Sequence, residues 1–243
     1  MVNKEKITAV IQARMGSSRF PGKVLKKIQG KPILWHIINR LERVKLLDGI
    51  VIATSDLSQD DKIYKMAKKY KFDIFRGSEN DVLERFFGAA KKKNAKFVLR
   101  VTGDCPLIDP IVIDDLINKF FDKRFDFCGV ACGAGVSNSM NINRFPDGLD
   151  AEIFSFKVLE DAHLNAKSDL QREHVTPYIW QNNKRYKIGT LHSENDYSNL
   201  RLTVDNKEDF EFISWIYKIL FPKDPNFNLN TIVELLRENP KKI

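Results

Sequence analysis

The chain has 243 residues, 43% of them hydrophobic, with a formal net charge of +8, which is enough apolar material to bury the core of one α/β domain. No apolar run nears the roughly 20 residues that cross a bilayer, and Asn3, Lys4, Glu5 and Lys6 stand where a signal peptide would be apolar, so a soluble, cytoplasmic protein without membrane attachment is expected. Three cysteines, Cys105, Cys128 and Cys132, form no Cys-x-x-Cys pair and leave an odd count, against a disulfide framework or a zinc site; the lysines are scattered and no aromatic–basic motif accompanies them, against nucleic acid and for a small anionic substrate.

The first apolar run, Ile7 to Ile11, reads as a strand. It breaks into a loop holding Gly16, Ser17, Ser18, Pro21 and Gly22, with Arg14, Arg19 and Lys23 interleaved. Glycine and serine let the backbone come close to a ligand with N–H groups inward, and the three cations add fixed positive charge; both favour a polyphosphate. The loop is not a Walker loop, because Lys23 is followed by Val24, and the nearest approach to a dinucleotide fingerprint, Gly133-x-Gly135, ends in Asn138. A plain basic surface loop would account for the turn residues but not for three cations without an acidic partner in the loop.

The run Arg14-Met15-Gly16-Ser17-Ser18-Arg19-Phe20-Pro21-Gly22-Lys23 resembles the signature loop of the cytidylyltransferases that activate acidic sugars, the CMP-Kdo and CMP-acylneuraminate synthetases. The wording from Ile11 to Arg19 is most similar to their spore coat polysaccharide biosynthesis protein F branch. The resemblance implies a three-layer α/β/α, nucleotide-diphospho-sugar transferase-like (Rossmann-like) fold, Mg²⁺ as cofactor, and transfer of CMP from CTP to an acidic sugar. Expected partners are CTP and that acceptor, with no nucleic acid and no membrane; a homodimer is the assembly to test.

Beyond the loop, Lys31 to Leu47 has the apolar spacing of a helix, with His36 beside the stripe in a structural place. Strands at Gly49–Thr54, Phe72–Phe75 and Lys96–Thr102 alternate with helices at Ser58–Tyr70, Asp81–Lys92 and Asp109–Phe121. Such alternation predicts a mostly parallel sheet covered on both faces, with ligands at the carboxyl ends of its strands. Phe125–Cys132 is a further strand. Gly133–Gly148 is too long for an idle turn and is expected to be a mobile lid or a disordered insertion. Asp150–Phe156 is extended and Lys157–Ala166 helical. Within Ser168–Gln181, Pro177 should start a new helical turn after one that ends near Thr176. Strands at Tyr186–Leu191 and Leu200–Val204 and helices at Lys207–Leu220 and Thr231–Arg237 close a single domain, in which the resemblance implies that residues 1–125 serve the nucleotide and 126–243 the acceptor.

Nucleotidyl transfer needs cations on the departing pyrophosphate and hard oxygen ligands for a metal. Asp104 and Asp205 stand at strand ends and are the candidates. On the residues alone both favour capping: Asp104 precedes a proline turn, and Asp205 starts a helix with Glu208 three residues on. The resemblance reverses this, because Gly103-Asp104-x-Pro106-Leu107 and Leu202-Thr203-Val204-Asp205 match the family's metal-holding positions. Cys105 departs from the family's Gly-Asp-Glu-Pro, which removes one acidic group beside the metal. Arg14, Lys23, Asp104 and Asp205 are thus expected to be catalytic. Ala13, Gly16, Ser17, Ser18, Arg19, Arg76, Gly77, Ser78, Arg85 and Thr102 are expected to hold the nucleotide, the Arg76–Arg85 stretch on the base side by resemblance. Arg144, Asp147, Asp150, Glu152, Arg172 and His174 are expected to form the acceptor pocket, with Arg144 and Arg172 reading a carboxylate. Alternatives are a nucleotidyltransferase that joins UTP or another nucleotide to a sugar 1-phosphate, a glycosyltransferase on a similar sheet, for which Asp104-Cys105-Pro106 lacks the second aspartate, and a non-catalytic nucleotide- or nucleic-acid-binding module.

Overall fold

Strand β1 (Ile7–Gln12) turns Ile7, Ala9 and Ile11 to one face and Val10 to the other, all of them buried. A strand apolar on both sides belongs in the middle of a covered sheet. The structure, a computed structural model, describes residues 6–133, 135–137 and 142–242. After β1 come a short hairpin of β2 (Lys27–Ile28) and β3 (Lys31–Pro32), then α1 (Ile33–Leu41), β4 (Gly49–Ser55), α2 (Asp61–Tyr70), β5 (Ile74–Gly77), α3 (Val82–Lys92), β6 (Phe97–Thr102) and α4 (Pro110–Asp122). The second half adds β7 (Phe127–Val130), β8 (Ala151–Ser155), α5 (Phe156–Asn165), the short α6 (Asp169–His174) and α7 (Pro177–Gln181), β9 (Ile188–Leu191), α8 (Lys207–Leu220) and α9 (Leu229–Glu238).

Seven strands form one sheet in the order β5-β4-β1-β6-β8-β7-β9, and only β8 runs antiparallel to its neighbours. The buried side chains divide by sheet face. Helices α1, α2, α4, α8 and α9 pack on one side through residues such as Leu34, Ile63, Ile113, Ile213 and Ile232; α3, α5 and α7 pack on the other through Phe86, Leu159 and Ile179. The three-layer, mostly parallel architecture expected from the alternation is the one observed.

Two local expectations change. Helix α1 covers only the first half of Lys31–Leu47, since Pro32 stands at its N-cap and Glu42 at its C-cap. Leu200–Val204 is not a strand: Arg201 makes an isolated bridge to Asp147, Leu202 N–H donates to Asp147 O at 2.6 Å, and Val204 N–H to Asp104 O at 2.8 Å. Its backbone partners come from two different loops, so no ladder can propagate. Of the expected lid at Gly133–Gly148, residues 134 and 138–141 lie outside the described residues. Within the rest, Gly135–Ser137 is a 3₁₀ turn, Phe145 N–H donates to Ala131 O at 2.8 Å and Asp147 N–H to Leu200 O at 3.1 Å.

Candidate active site

The loop after β1 is shaped by a carboxylate that the sequence did not single out. Asp60, fully buried, accepts from Met15 N–H at 2.7 Å through Oδ1, and from the Ser55 hydroxyl at 2.6 Å, the Thr54 hydroxyl at 3.1 Å and Ser55 N–H at 3.2 Å through Oδ2. One buried charge with four donors ties the loop to the end of β4. Beside it, Gly103 N–H donates to Gln12 O at 2.8 Å, and a Cβ at Gly103 would lie 2.7 Å from that oxygen. Glycine there lets the ends of β1 and β6 close together, so the loop and Asp104 open onto one crevice.

In that crevice Lys23 Nζ lies 2.8 Å from Asp104 Oδ2 and 2.8 Å from Asp205 Oδ1, joining residues 81 and 182 positions away. Arg19 Nη2 stands 3.2 Å from Asp205 Oδ2, and Arg201 Nη2 2.6 Å from the same oxygen. Burial works against the Lys23 ammonium, but Asp104 and Asp205 outweigh it and raise its pKa. Burial likewise works against the Asp205 carboxylate, and Lys23, Arg201 and Arg19 outweigh it, so its pKa falls below the usual value. Both groups are held charged.

The capping alternative fails at both aspartates. Helix α8 is capped by Asn206, whose Oδ1 accepts Asp209 N–H at 2.8 Å while Asp209 Oδ2 accepts Asn206 N–H at 3.1 Å. Helix α4 is capped by Asp109, which accepts Ile111 N–H at 2.8 Å. With both termini satisfied by neighbours, the side chains of Asp104 and Asp205 are left to face Lys23. Cys105 is buried beside them, its Sγ 3.1 Å from Thr102 Oγ1 and 3.6 Å from Asp104 Oδ1, and burial pushes the thiol well above its ordinary value. It supplies no charge where the resembled family has an acid.

The crevice has a volume of about 420 Å³ and is lined by Ala13, Arg14, Gly16, Ser17, Ser18, Arg19, Lys23, Thr102, Asp104 and Asp205, by Gln12, Val24 and Gly103, which the sequence reading missed, and by Glu173 and His174 from the stretch expected on the acceptor side. Arg14 reaches Glu79 at 3.3 Å and Glu173 at 4.0 Å. On the expected base side, Arg76 is spent on structure, donating to Asp61 at 2.7 Å and to the Ser55 and Leu57 carbonyls at 2.9 Å. Gly77 ends β5 and Ser78 follows it. Arg85 is fully buried; its Nη1 donates to Ser78 O at 2.6 Å, while Nε and Nη2 have no partner among the described residues.

A second cavity of about 390 Å³ adjoins the first and is lined by Asp150, Glu152 and His174 from the expected set, with Arg100, Leu170, Thr176 and Trp180 in addition. Arg100 Nη1 donates to Glu152 at 2.8 Å, and both Glu152 oxygens accept the Thr176 hydroxyl at 3.0 and 3.1 Å. Burial pushes Asp150 up to about 6, the Gly148 N–H bond opposing and Asp147, Asp104 and Glu152 adding to it. The two expected carboxylate readers are elsewhere. Arg172 donates twice to Asp81 through Nε, at 2.9 and 3.0 Å, again through Nη2, and through Nη1 to His163 O at 2.7 Å. Its fork is filled, so it fastens α6 to the start of α3. Arg144 packs against Gly133, its N–H on Asp196 at 3.1 Å, and Asp147 pairs with Arg201.

Two carboxylates drawn to one cation form a hard-oxygen donor set of the size Mg²⁺ takes from protein when phosphate and water fill its other positions. Asp104 and Asp205 fit that ion, with the Lys23 ammonium as the cation between them here. Among the described residues no cluster of three or more His, Cys, Asp or Glu placed to hold a metal occurs.

A family model described as "Cytidylyltransferase" matches residues 8–241. The spore coat polysaccharide biosynthesis protein SpsF of Bacillus subtilis is 33% identical over 241 residues, covering 96% of this chain and 95% of that one. The 3-deoxy-manno-octulosonate cytidylyltransferase of Geobacter sulfurreducens is 35% identical over 113 residues, 46% of this chain and 44% of its own. The solved structure of a cytidylyltransferase from Leptospira borgpetersenii serovar Hardjo-bovis superposes with a TM-score of 0.87 at 32% identity, covering 98% and 96% of the two chains.

Proposed function

The chain belongs to the cytidylyltransferase family, and from that premise we propose that it transfers CMP from CTP to a hydroxyl of an acidic sugar, releasing pyrophosphate, for a surface polysaccharide or glycan. The observation that carries the reading is Lys23 held 2.8 Å from both Asp104 and Asp205 at the mouth of a glycine- and serine-lined loop. Arg14, Arg19 and Lys23 bind the β- and γ-phosphates and neutralise the charge that gathers on the leaving pyrophosphate. Asp104 and Asp205 would hold Mg²⁺, which when bound supplies positive charge to the phosphates and acidifies a coordinated hydroxyl.

The base is read beside Ser78 by Arg85, whose Nε and Nη2 are unpaired among the described residues. The acceptor occupies the second cavity. There Arg100, with Nε likewise unpaired, takes the carboxylate-reading role expected of Arg144 and Arg172, and Asp150 and Glu152 face the sugar hydroxyls. The halves therefore interleave: Arg100 from the first serves the acceptor, and Asp205 from the second serves the triphosphate. A cytoplasmic homodimer that handles neither nucleic acid nor membrane completes the proposal, its assembly checked by light scattering.

Pyrophosphate release measured with CTP, UTP, ATP and GTP, with and without Mg²⁺, against sugar acids and sugar 1-phosphates is the test. Metal-dependent release from CTP with a sugar acid is expected. Release from UTP with a sugar 1-phosphate, or binding without turnover, overturns the reading.

A further inference from the structure

The triphosphate cleft and the second cavity share a single described lining residue, His174, the last residue of α6. The chain reaches that place through strain. Val175, buried and β-branched, has φ 71° and ψ −55°, and Thr176 N–H closes the turn on His174 O at 2.8 Å. This is the rare hand of γ-turn, at a residue type for which positive φ is an outlier, and such geometry persists only where packing and bonding on both sides impose it. On the far side the Thr176 hydroxyl is fixed to Glu152 at 3.0 and 3.1 Å. The turn carries the chain from one cavity to the other and leaves the imidazole on the wall between them, exposed and bonded to none of the described residues.

On the reading above, that wall is where the acceptor hydroxyl meets the nucleotide, and attack there needs a proton acceptor. The carboxylates of Asp104 and Asp205 are engaged with Lys23, and Glu173 lines only the cleft, 4.0 Å from Arg14. Asp150 and Glu152 line only the second cavity, where Glu152 is bonded to Arg100 and Thr176. Those groups flank the ring on its two sides, and none of them borders both substrates.

We propose that His174 is the catalytic base, taking the proton of the attacking hydroxyl; this rests on the CMP-transfer reading. The acceptor O–H bond breaks as its oxygen bonds the α-phosphorus. The bond from that phosphorus to the bridging oxygen breaks with its electron pair leaving on pyrophosphate, and the proton rests on a ring nitrogen until water removes it.

The test compares wild type, His174→Ala and Asp150→Asn for pyrophosphate release across acid and alkaline pH. His174→Ala is expected to lower kcat about a hundredfold, abolish the acid limb of the profile, leave the KM for CTP unchanged, and recover on addition of imidazole; Asp150→Asn keeps the limb. An acid limb that disappears with Asp150→Asn instead, or a His174→Ala defect confined to acceptor KM without imidazole rescue, overturns the assignment. Failure of the CMP-transfer reading looks different, since wild type then releases no pyrophosphate from CTP with any sugar acid. In that case the His174 ring signal in the NMR spectrum, identified by its loss in His174→Ala, decides: displacement by CTP with Mg²⁺ supports the placement, and an unmoved signal overturns it.

Discussion

In the cleft beside the Arg14–Lys23 loop Asp205 is surrounded by Lys23, Arg19 and Arg201, and its carboxyl is held ionised; in the adjoining cavity Asp150 looks toward Asp147, Asp104 and Glu152, and burial pushes it up to about 6. The same residue type is thus tuned in opposite directions on the two sides of one histidine. The cleft keeps permanent opposite charges in contact, an arrangement that exchanges readily for a polyanion and a divalent cation. The second cavity pairs one cation, Arg100, with Glu152, and adds apolar walls from Leu170 and Trp180. Such a lining suits a sugar, whose hydroxyls are neutral and whose ring carbons are apolar.

The difference is broken most severely at Asp104 and Asp205, the carboxylates proposed to hold the metal. Asp104→Asn or Asp205→Asn is expected to lower kcat about 100- to 1,000-fold, roughly 2.7–4 kcal/mol, with little change in melting temperature, because Asn206, Asp209 and Asp109 keep the helix caps. A variant that melts lower but turns over normally would return these residues to a structural role.

Asp150 gives a smaller effect of opposite character. Its carboxyl rises from 3.8 to about 6 on folding, so the folded chain binds the proton more readily. The resulting stability is complete below pH 3.8 and lost as pH rises through about 6, above which the buried charge costs at most about 3 kcal/mol. Asp150→Asn is therefore expected to melt higher than wild type at mildly alkaline pH and no higher at strongly acidic pH. Thermal denaturation at the two extremes checks it, and equal destabilisation at both would refute it.

Arg172 sharpens the comparison because it belongs to neither cavity. Arg172→Met leaves Asp81 half-buried at the start of α3 with its Glu84 N–H cap bond but without its cation, and about 1–2 kcal/mol of stability is expected to go, with the KM for acceptor near wild type. Urea unfolding beside saturation kinetics separates the two, and a raised acceptor KM at unchanged stability would restore Arg172 to the pocket.

Arg172 and Lys23 also show where sequence reading stops. Both are basic residues, and nothing within their own segments says which carboxylates either one meets. Asp81 lies 91 positions from Arg172, and Asp104 and Asp205 lie 81 and 182 positions from Lys23. Asp60, which fixes the loop after β1, is 45 positions from the Met15 amide it holds. Arg100 was passed over as one residue of a strand, although its place two positions before Thr102 put it on the strand that reaches the site.

The sequence by itself determined the alternation of strands and helices, the parallel sheet, the strand-to-loop break at Arg14–Lys23 and the helix restart at Pro177, because each is written in local periodicity and in residues with few backbone choices. Only the tertiary structure decided which cations are free for a ligand, which carboxylates cap helices and which meet a cation, and that His174 stands between two cavities. Those facts depend on how distant segments pack, since the partners of Met15, Lys23 and Arg172 lie 45, 81, 182 and 91 positions away along the chain.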